Sequence, residues 1–169
     1  LDTDGTPDVV LVATGSEVQL AVQAREELAA KDIKARVVSM PCREWFDEQD
    51  DAYREQVLPS SVRARVSVEA GVGMGWRDVV GDAGEIVSLE HFGSSAAHTV
   101  LFEQYGFTRD RVVAAAHASL EDLRREDSEP LVHKEYGDSF DDTDLETGEP
   151  DGVVVGDGGS TNSDSDSGA

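Results

Sequence analysis

Three glycines within five residues raise the first question about chemistry. The apolar run from Val66 to Ala70 leads into Gly71-Val-Gly73-Met-Gly75, and spaced glycines after a strand are typical of a nucleotide-binding turn. A dinucleotide fingerprint, G-x-G-x-x-G, needs its third glycine where this chain has Trp76. Glu90 ends the next predicted strand, near where a ribose-binding acid would lie. The mismatch at Trp76 favours a tight turn with close backbone approach over a nucleotide site.

Other residues that could do chemistry show no complete pattern. The four histidines have no metal-ligand spacing with cysteines or carboxylates, and His91 alone is placed in a loop after a strand, the better position for function. Glu69 and Glu90 end apolar segments, where a structural, paired carboxylate is favoured over one with a shifted pKa. The sequence therefore predicts neither catalytic residues nor metal ligands.

The elements that must position these residues alternate between strands and helices. Apolar runs predict four strands: Asp8–Thr14, Ala35–Met40, Ala64–Ala70 and Glu85–Glu90. Ser16 and Gln19 have the spacing of a capping box at the start of the first long helix. Further helices are predicted over Ser94–Gly106 and after a Thr108 cap. Between the second and third strands we expect short helical turns with three buried anchors, Trp45, Phe46 and Tyr53.

This alternation, with near-continuous apolar strands, predicts an α/β protein whose mostly parallel sheet is covered on both faces. The loops that follow the strands then lie along one edge of the sheet. Helix N-termini at that edge could contact an anion weakly, and the candidate positions are Gly15, Ser16, Gly71, Gly73, Ser94 and Ser95.

Composition restricts the partners and the compartment. The chain has 36 acidic and 14 basic side chains, a net charge of −22, which makes nucleic acid an unfavourable partner. No apolar run has the ~20 residues that a membrane span needs. One cysteine, Cys42, permits no internal disulfide, so a cytoplasmic location is expected and a packed thiol is favoured over a nucleophile.

The acidic charge is spread over two predicted regions. Residues 1–126 have a net charge of −10 and are predicted to form one domain, whereas residues 127–169 have a net charge of −12. The second region is rich in Gly, Ser and Asp, so it should be a disordered tail. Because the predicted domain is acidic by itself and the chain has few lysines, we expect adaptation to a salt-rich cytosol, that is, a halophilic protein.

Longer stretches resemble the C-terminal domain of transketolase. The strings "ATGSEVQLAV" (13–22), "VVSMPC" (37–42), "VEAGVGMGW" (68–76) and "EHFGSSAAHTVLFEQYGFT" (90–108) follow that domain in order. The resemblance covers about residues 8–118. It implies a three-layer α/β/α sandwich with a small mixed sheet, in which the glycines of the "VEAGVGMGW" string serve close packing.

The resemblance also implies an activity that belongs to the whole enzyme. Transketolases are homodimers that use thiamine diphosphate and Mg²⁺ to transfer two-carbon ketol units between sugar phosphates in the pentose phosphate pathway. In the family the cofactor and substrate groups lie in the first two domains, so the implied partners of this chain are those thiamine-binding domains and a second subunit. The implied role of the third domain is structural, with no cofactor ligand and no catalytic residue of its own.

Three interpretations remain open from the sequence. The chain is a fragment or split subunit of a transketolase, a free-standing anion- or nucleotide-binding module, or a gene relic without a function. The sequence begins with Leu1 and not with methionine, which favours a fragment of a longer protein. An adjacent reading frame that encodes the thiamine-binding domains would favour the first interpretation.

Overall fold

The computed structural model describes residues 1–128, which alternate between strands and helices as the sequence predicts. The strands are β1 (Val9–Ala13), β2 (Ala35–Ser39), β3 (Arg65–Val68) and β4 (Glu85–Val87). The helices are α1 (Val18–Ala29), α2 (Arg43–Asp47), α3 (Asp51–Val57), α4 (Arg77–Val80), α5 (His98–Tyr105) and α6 (Arg109–Ser128). The predicted acidic tail lies outside the described residues, apart from the end of α6.

The strands form one four-stranded sheet in the order β2-β1-β3-β4. The expected mostly parallel sheet is confirmed, and the three pairings among residues 1–128 are all parallel rather than mixed. An antiparallel exchange occurs at the outer edge of β2, where Leu1 and Val37 each donate to the other's carbonyl at 2.7 and 2.9 Å. One such rung is too short to make a strand.

Alternating side chains of the central strand divide the core between the two faces of the sheet. Val9, Leu11 and Ala13 pack with the buried faces of α1 and α6. Val10 and Val12 pack on the opposite face with Met40, Leu58, Val62, Trp76 and Val79. All five β1 residues are inaccessible to solvent, as expected for a strand covered on both faces. The three-layer α/β/α architecture is therefore confirmed.

Two buried polar groups tie the helices to the sheet. The hydroxyl of Ser119 on α6 donates to the Ala83 carbonyl at 2.6 Å and accepts the Arg65 backbone N–H at 3.2 Å. On the other face, the half-buried Arg65 guanidinium donates to the carbonyls of Val62, Val79, Leu58 and Pro59. Burial lowers the pKa of Arg65, the charge of Glu55 opposes that shift, and the four carbonyls satisfy donors of the guanidinium.

The predicted capping box at the start of the first helix is wrong. Ser16 lies in a single 3-10 turn, Gly15–Glu17, and α1 begins only at Val18. The Ser16 hydroxyl donates to the neighbouring Glu17 carboxylate at 2.8 Å rather than capping a backbone N–H. Carbonyls of this turn accept the backbone N–H groups at the start of α1, so the Ser16 side chain of the S-x-x-Q pattern caps none of them.

Helix α5 is shorter than predicted. It begins at His98, and the preceding residues Ser94 to Ala97 are exposed and non-helical. It ends at Tyr105, where Gly106 takes the left-handed conformation with φ +77° that favours glycine. The Thr108 cap is confirmed, because its Oγ1 accepts the Arg111 N–H at 3.2 Å.

The expected burial of the anchors on α2 and α3 is wrong for two of three residues. Trp45 is 68% exposed and Tyr53 48% exposed, whereas Phe46 is partly buried against the core. Both helices are short, and neither has a buried residue. Within residues 1–128, none of the helices combines the length and apolar composition that crossing a bilayer requires.

Replacing Ser119 by alanine should destabilise the domain. The change leaves the Arg65 N–H and the Ala83 carbonyl without their partner in a fully buried site, which should cost about 1–3 kcal/mol in the free energy of unfolding. Ser128→Ala is the matched control, since its hydroxyl bonds an exposed carbonyl on the same helix and should cost less than about 0.5 kcal/mol. Urea unfolding measures both, and equal losses would contradict the assigned role of Ser119.

Candidate functional site

The loops at the carboxyl ends of the strands form the candidate site. Gly15 and Ser16 follow β1, Pro41 and Cys42 follow β2, Gly71–Gly75 follows β3, and His91–Ser95 follows β4. Because the strands are parallel, these loops share one edge of the sheet, and the loops after β3 and β4 are neighbours. The structure thus places the sequence-predicted site residues at a single edge, where ligands bind in many open α/β sheets.

Gly73 lies close against three side chains of β4 and the segment that follows it. A Cβ atom at this position would lie 2.9 Å from Glu90 Oε1, 3.0 Å from Ser88 Oγ and 3.1 Å from Ile86 Cγ2. The Gly73 N–H donates to Glu90 Oε1 at 2.8 Å, and the Leu89 N–H donates to the Gly71 carbonyl at 2.8 Å. The loop after β3 is therefore fastened directly to the segment after β4, and close packing accounts for this glycine.

Glu90 supplies the negative charge of this turn. The Ser88 hydroxyl donates to its Oε1 at 2.6 Å, and that bond, together with the Gly73 N–H, lowers the pKa of Glu90 below its ordinary value. The carboxylate is exposed to water and is ionised at neutral pH. A backbone N–H that a phosphate group would use is thus already bonded to an anion of the protein itself.

The other end of the glycine turn is held by Trp76. Its indole N–H donates to Glu69 Oε2 at 2.9 Å, so the carboxylate that follows β3 has a structural partner. The Arg43 guanidinium lies 5.8 Å from the centre of the Trp76 ring and donates to the Gly75 carbonyl. Gly75 has φ +89°, and a Cβ there would lie 3.0 Å from Arg43 Nη1. Trp76 thus packs the turn onto the core instead of opening a cofactor cleft.

The first loop contains a residue that sequence reasoning missed. Glu17 is only 5% exposed, and its Oε1 accepts the Ser16 hydroxyl. Gly15 has φ +47°, and a Cβ there would lie 3.8 Å from Glu17 Oε2. The sequence feature that could have identified Glu17 is its position immediately before the apolar face of α1. The Ser16 hydroxyl that was expected to face an anion is bonded instead to a carboxylate.

The loop after β4 is the most exposed part of the edge. His91 is exposed, its Nδ1 lies 2.8 Å from the Phe92 carbonyl oxygen, and its ring centre lies 4.7 Å from that of Tyr105. Ser94 and Ser95 are exposed and precede α5 by several residues, so they do not lie at its N-terminus. The structure therefore does not bring these two serines to a helix end, the arrangement expected for anion contact.

The remaining candidate residues have simple surroundings. The Cys42 thiol is partly exposed and donates to Glu44 Oε2 at 3.3 Å. His98 lies on α5 with its ring centre 6.3 Å from that of Phe102, and His117 is half-buried on α6. His133 lies outside the described residues. Within residues 1–128 we find no group of three or more His, Cys, Asp and Glu side chains arranged to hold a metal ion.

Comparison with known proteins gives one consistent answer. Residues 1–108 match the family model of the transketolase-like TK C-terminal domain. The transketolase of Mycobacterium tuberculosis is 62% identical over 115 residues, which cover 68% of this chain and 16% of that protein. Transketolase 1 of Escherichia coli K12 is 56% identical over 115 residues, with 17% of its length covered.

The solved structures agree with the sequences. Transketolase from Leishmania mexicana superposes with a TM-score of 0.66 at 41% identity, and the match covers 72% of this chain and 17% of that one. The chain thus spans about a sixth of the length of the relatives that it matches. The resemblance seen in the sequence is confirmed, and the chain belongs to the family of transketolase C-terminal domains.

Proposed function

We propose that this chain is the third domain of a transketolase and has a structural role. In this proposal the transfer of two-carbon ketol units between sugar phosphates takes place in thiamine-binding domains outside this chain. The third domain stabilises those domains and the dimer that they form, and it acts in the cytoplasm. The matched residues of this chain cover only 16% of a 62% identical transketolase, so most of such an enzyme corresponds to sequence outside them.

The observation that carries this proposal is that donors at the carboxyl edge of the sheet are already bonded to the protein's own carboxylates. The carboxylate of Glu90 accepts the Gly73 N–H, that of Glu69 accepts the Trp76 indole N–H, and that of Glu17 accepts the Ser16 hydroxyl. An edge that binds a ligand leaves such donors free to face it. Here these donors are already bonded within the domain, which supports a structural role.

The same edge does not fit thiamine diphosphate. A diphosphate group needs free backbone N–H groups and cationic or metal partners, yet the Gly73 N–H faces an ionised carboxylate. We therefore place thiamine diphosphate and Mg²⁺ in the other domains of the complete enzyme. No residue of this chain is assigned to the cofactor.

A free-standing binding module is the second candidate function. The observation in its favour is that Gly15, Ser16, Gly71 and Gly73 share one edge of the sheet, and that Ser94 and Ser95 are exposed in the loop after β4. Weak anion contact at these loops would require a ligand to displace Glu90 from Gly73. The negative charge of Glu90 opposes that exchange.

We further propose that the chain is adapted to high salt. Its 36 acidic side chains outnumber the 14 basic ones. Residues 1–128 form exposed ion pairs, as in Arg63 with Glu126 at 2.8 Å and with Asp82 at 3.0 Å. These acceptors raise the pKa of Arg63. Because solvent screens such exposed pairs, they stabilise the fold little, and repulsion among the numerous acidic side chains outweighs them.

Ketol transfer should depend on the missing domains. The chain alone should show no transfer from a ketose phosphate to an aldose phosphate. Mixing it with a transketolase that lacks its third domain should raise the melting temperature of that dimer and restore transfer. A coupled assay measures the activity and scanning calorimetry measures the stability. Transfer by the chain alone would contradict the proposal, as would the lack of any binding in molar KCl.

Dinucleotides should not bind to the glycine turn. Titration with NAD or NADP should give no saturable signal at millimolar ligand, because Glu90 holds the Gly73 N–H and Trp76 fills the third glycine position. Calorimetry with the wild type and with Glu90→Gln measures this directly. A micromolar Kd in the wild type would favour the module, and tighter binding in Glu90→Gln would show that Gly73 contacts the ligand.

The melting temperature should rise from dilute buffer to molar KCl. The Debye length falls from ~10 Å at 0.1 M to ~3 Å at 1 M, which screens repulsion between surface acids. A chain that ends at Ser128 is the control, since it retains 24 acidic and 13 basic side chains and should keep most of the effect. A flat or falling melting temperature contradicts salt adaptation, and loss of the effect in the shortened chain would assign it to the tail.

A further inference from the structure

The strongest unexplained feature is a set of large apolar side chains at the carboxyl edge of the sheet. Val72 is 58% exposed, Met74 86% and Phe92 97%. We call these three residues the glycine-turn patch. They lie on the two loops that follow the adjacent strands β3 and β4, so they share the same region of the edge. Nothing in the described part of the chain covers them.

The loops that present this patch are fastened together. The Gly73 N–H donates to Glu90 at 2.8 Å, and the Leu89 N–H donates to the Gly71 carbonyl at 2.8 Å. Arg43 holds the Gly75 carbonyl next to Met74. These bonds fix the backbone on both sides of Val72 and Met74 while their side chains stay in solvent. A surface of this kind loses little conformational freedom when a partner covers it.

All three residues of the patch lie within residues 1–108, the segment that matches the family model. About five sixths of a 62% identical relative lies outside the matched residues. An interface between domains of one chain typically buries about 600–1,500 Å², and a single aromatic side chain supplies about 150–250 Å² of it. The missing domains are therefore the occupant that the length of the relatives favours.

A second copy of this chain is the less favourable occupant. Residues 1–126 have a net charge of −10, so two copies repel each other in dilute buffer. We propose that the glycine-turn patch is the surface by which this chain docks onto an apolar face of the thiamine-binding part of transketolase. This inference rests on the proposed function and adds to it the contact surface on this chain.

Binding of the full chain to a Mycobacterium tuberculosis transketolase that lacks its third domain tests the inference. The double variant Met74→Ser, Phe92→Ser should weaken the association at least about tenfold, because exposed side chains at the centre of an interface contribute most of its affinity. Trp45→Ser, Tyr53→Ser is the matched control, since these residues are also large and exposed but lie on α2 and α3. The control variant should bind like the wild type, and both variants should melt like the wild type when alone.

The outcomes separate the inference from the proposed function. If the wild type binds and the patch variant binds equally well, the patch inference is wrong and the proposed function stands. Loss of binding in the Trp45 and Tyr53 variant alone would assign docking to α2 and α3 and would also overturn the patch inference. A doubled mass of the free chain that the patch variant abolishes would identify a second copy as the occupant and overturn it as well.

A fusion keeps the test decisive if the shortened transketolase does not fold by itself. Residues 1–128 joined to the C-terminus of the same shortened transketolase should form a folded dimer, and Met74→Ser, Phe92→Ser should lower its melting temperature while the control variant does not. An unchanged melting temperature in the patch variant would overturn the inference. No folded dimer from the fusion, with no binding by the separate chain, would overturn the proposed function itself.

Discussion

The close approach of Gly73 to Glu90 is the contact on which the carboxyl edge of the sheet depends. A Cβ at Gly73 would lie 2.9 Å from the Glu90 carboxylate, so a larger residue would push that carboxylate away from the loop after β3. The same contact uses the backbone donor that an anion would need. It also fixes the loop that carries Val72 and Met74. One hydrogen bond thus occupies a backbone donor of this loop and supports the apolar surface that the loop presents.

The rest of the domain is arranged to hold that edge in place. Ser119 and Arg65 satisfy buried carbonyls on opposite faces of the sheet, so α6 and α4 are both anchored to β3. The strand β3 leads directly into the glycine turn, and Trp76 returns from the turn to the second core cluster. The family membership, the filled edge and the exposed apolar loops agree with one interpretation, a domain built to pack against other domains.

Local patterns in the sequence predict most of the fold. The apolar runs predict all four strands, with starts within one residue and ends within three residues of those observed. The Thr108 cap also follows from the sequence, because a cap joins residues three apart. The mismatch at Trp76 is enough to reject a dinucleotide fingerprint and to predict close packing at the glycines.

Contacts between distant residues account for what the sequence does not reveal. Gly73 and Glu90 are 17 residues apart, so their spacing shows no pattern that could predict the bond. The segment before α5 that contains Ser94 and Ser95 has a composition compatible with a helix, yet it is non-helical and exposed. Trp45 and Tyr53 are large and apolar enough to predict burial, but the short helices α2 and α3 leave them at the surface. An aromatic residue alone does not indicate whether its partner lies in the same chain.

The most direct test of the account is the oxidation of Met74 and Phe92 by hydroxyl radicals, followed by mass spectrometry. The measurement is made on three samples: the chain alone, the chain mixed with the thiamine-binding part of a transketolase, and the chain mixed with millimolar NAD or phosphate. The account predicts that oxidation of both side chains falls when the thiamine-binding part is added and stays unchanged with NAD or phosphate. Unchanged oxidation in a complex that forms, or a fall with NAD or phosphate alone, would contradict a domain whose carboxyl edge is a docking surface.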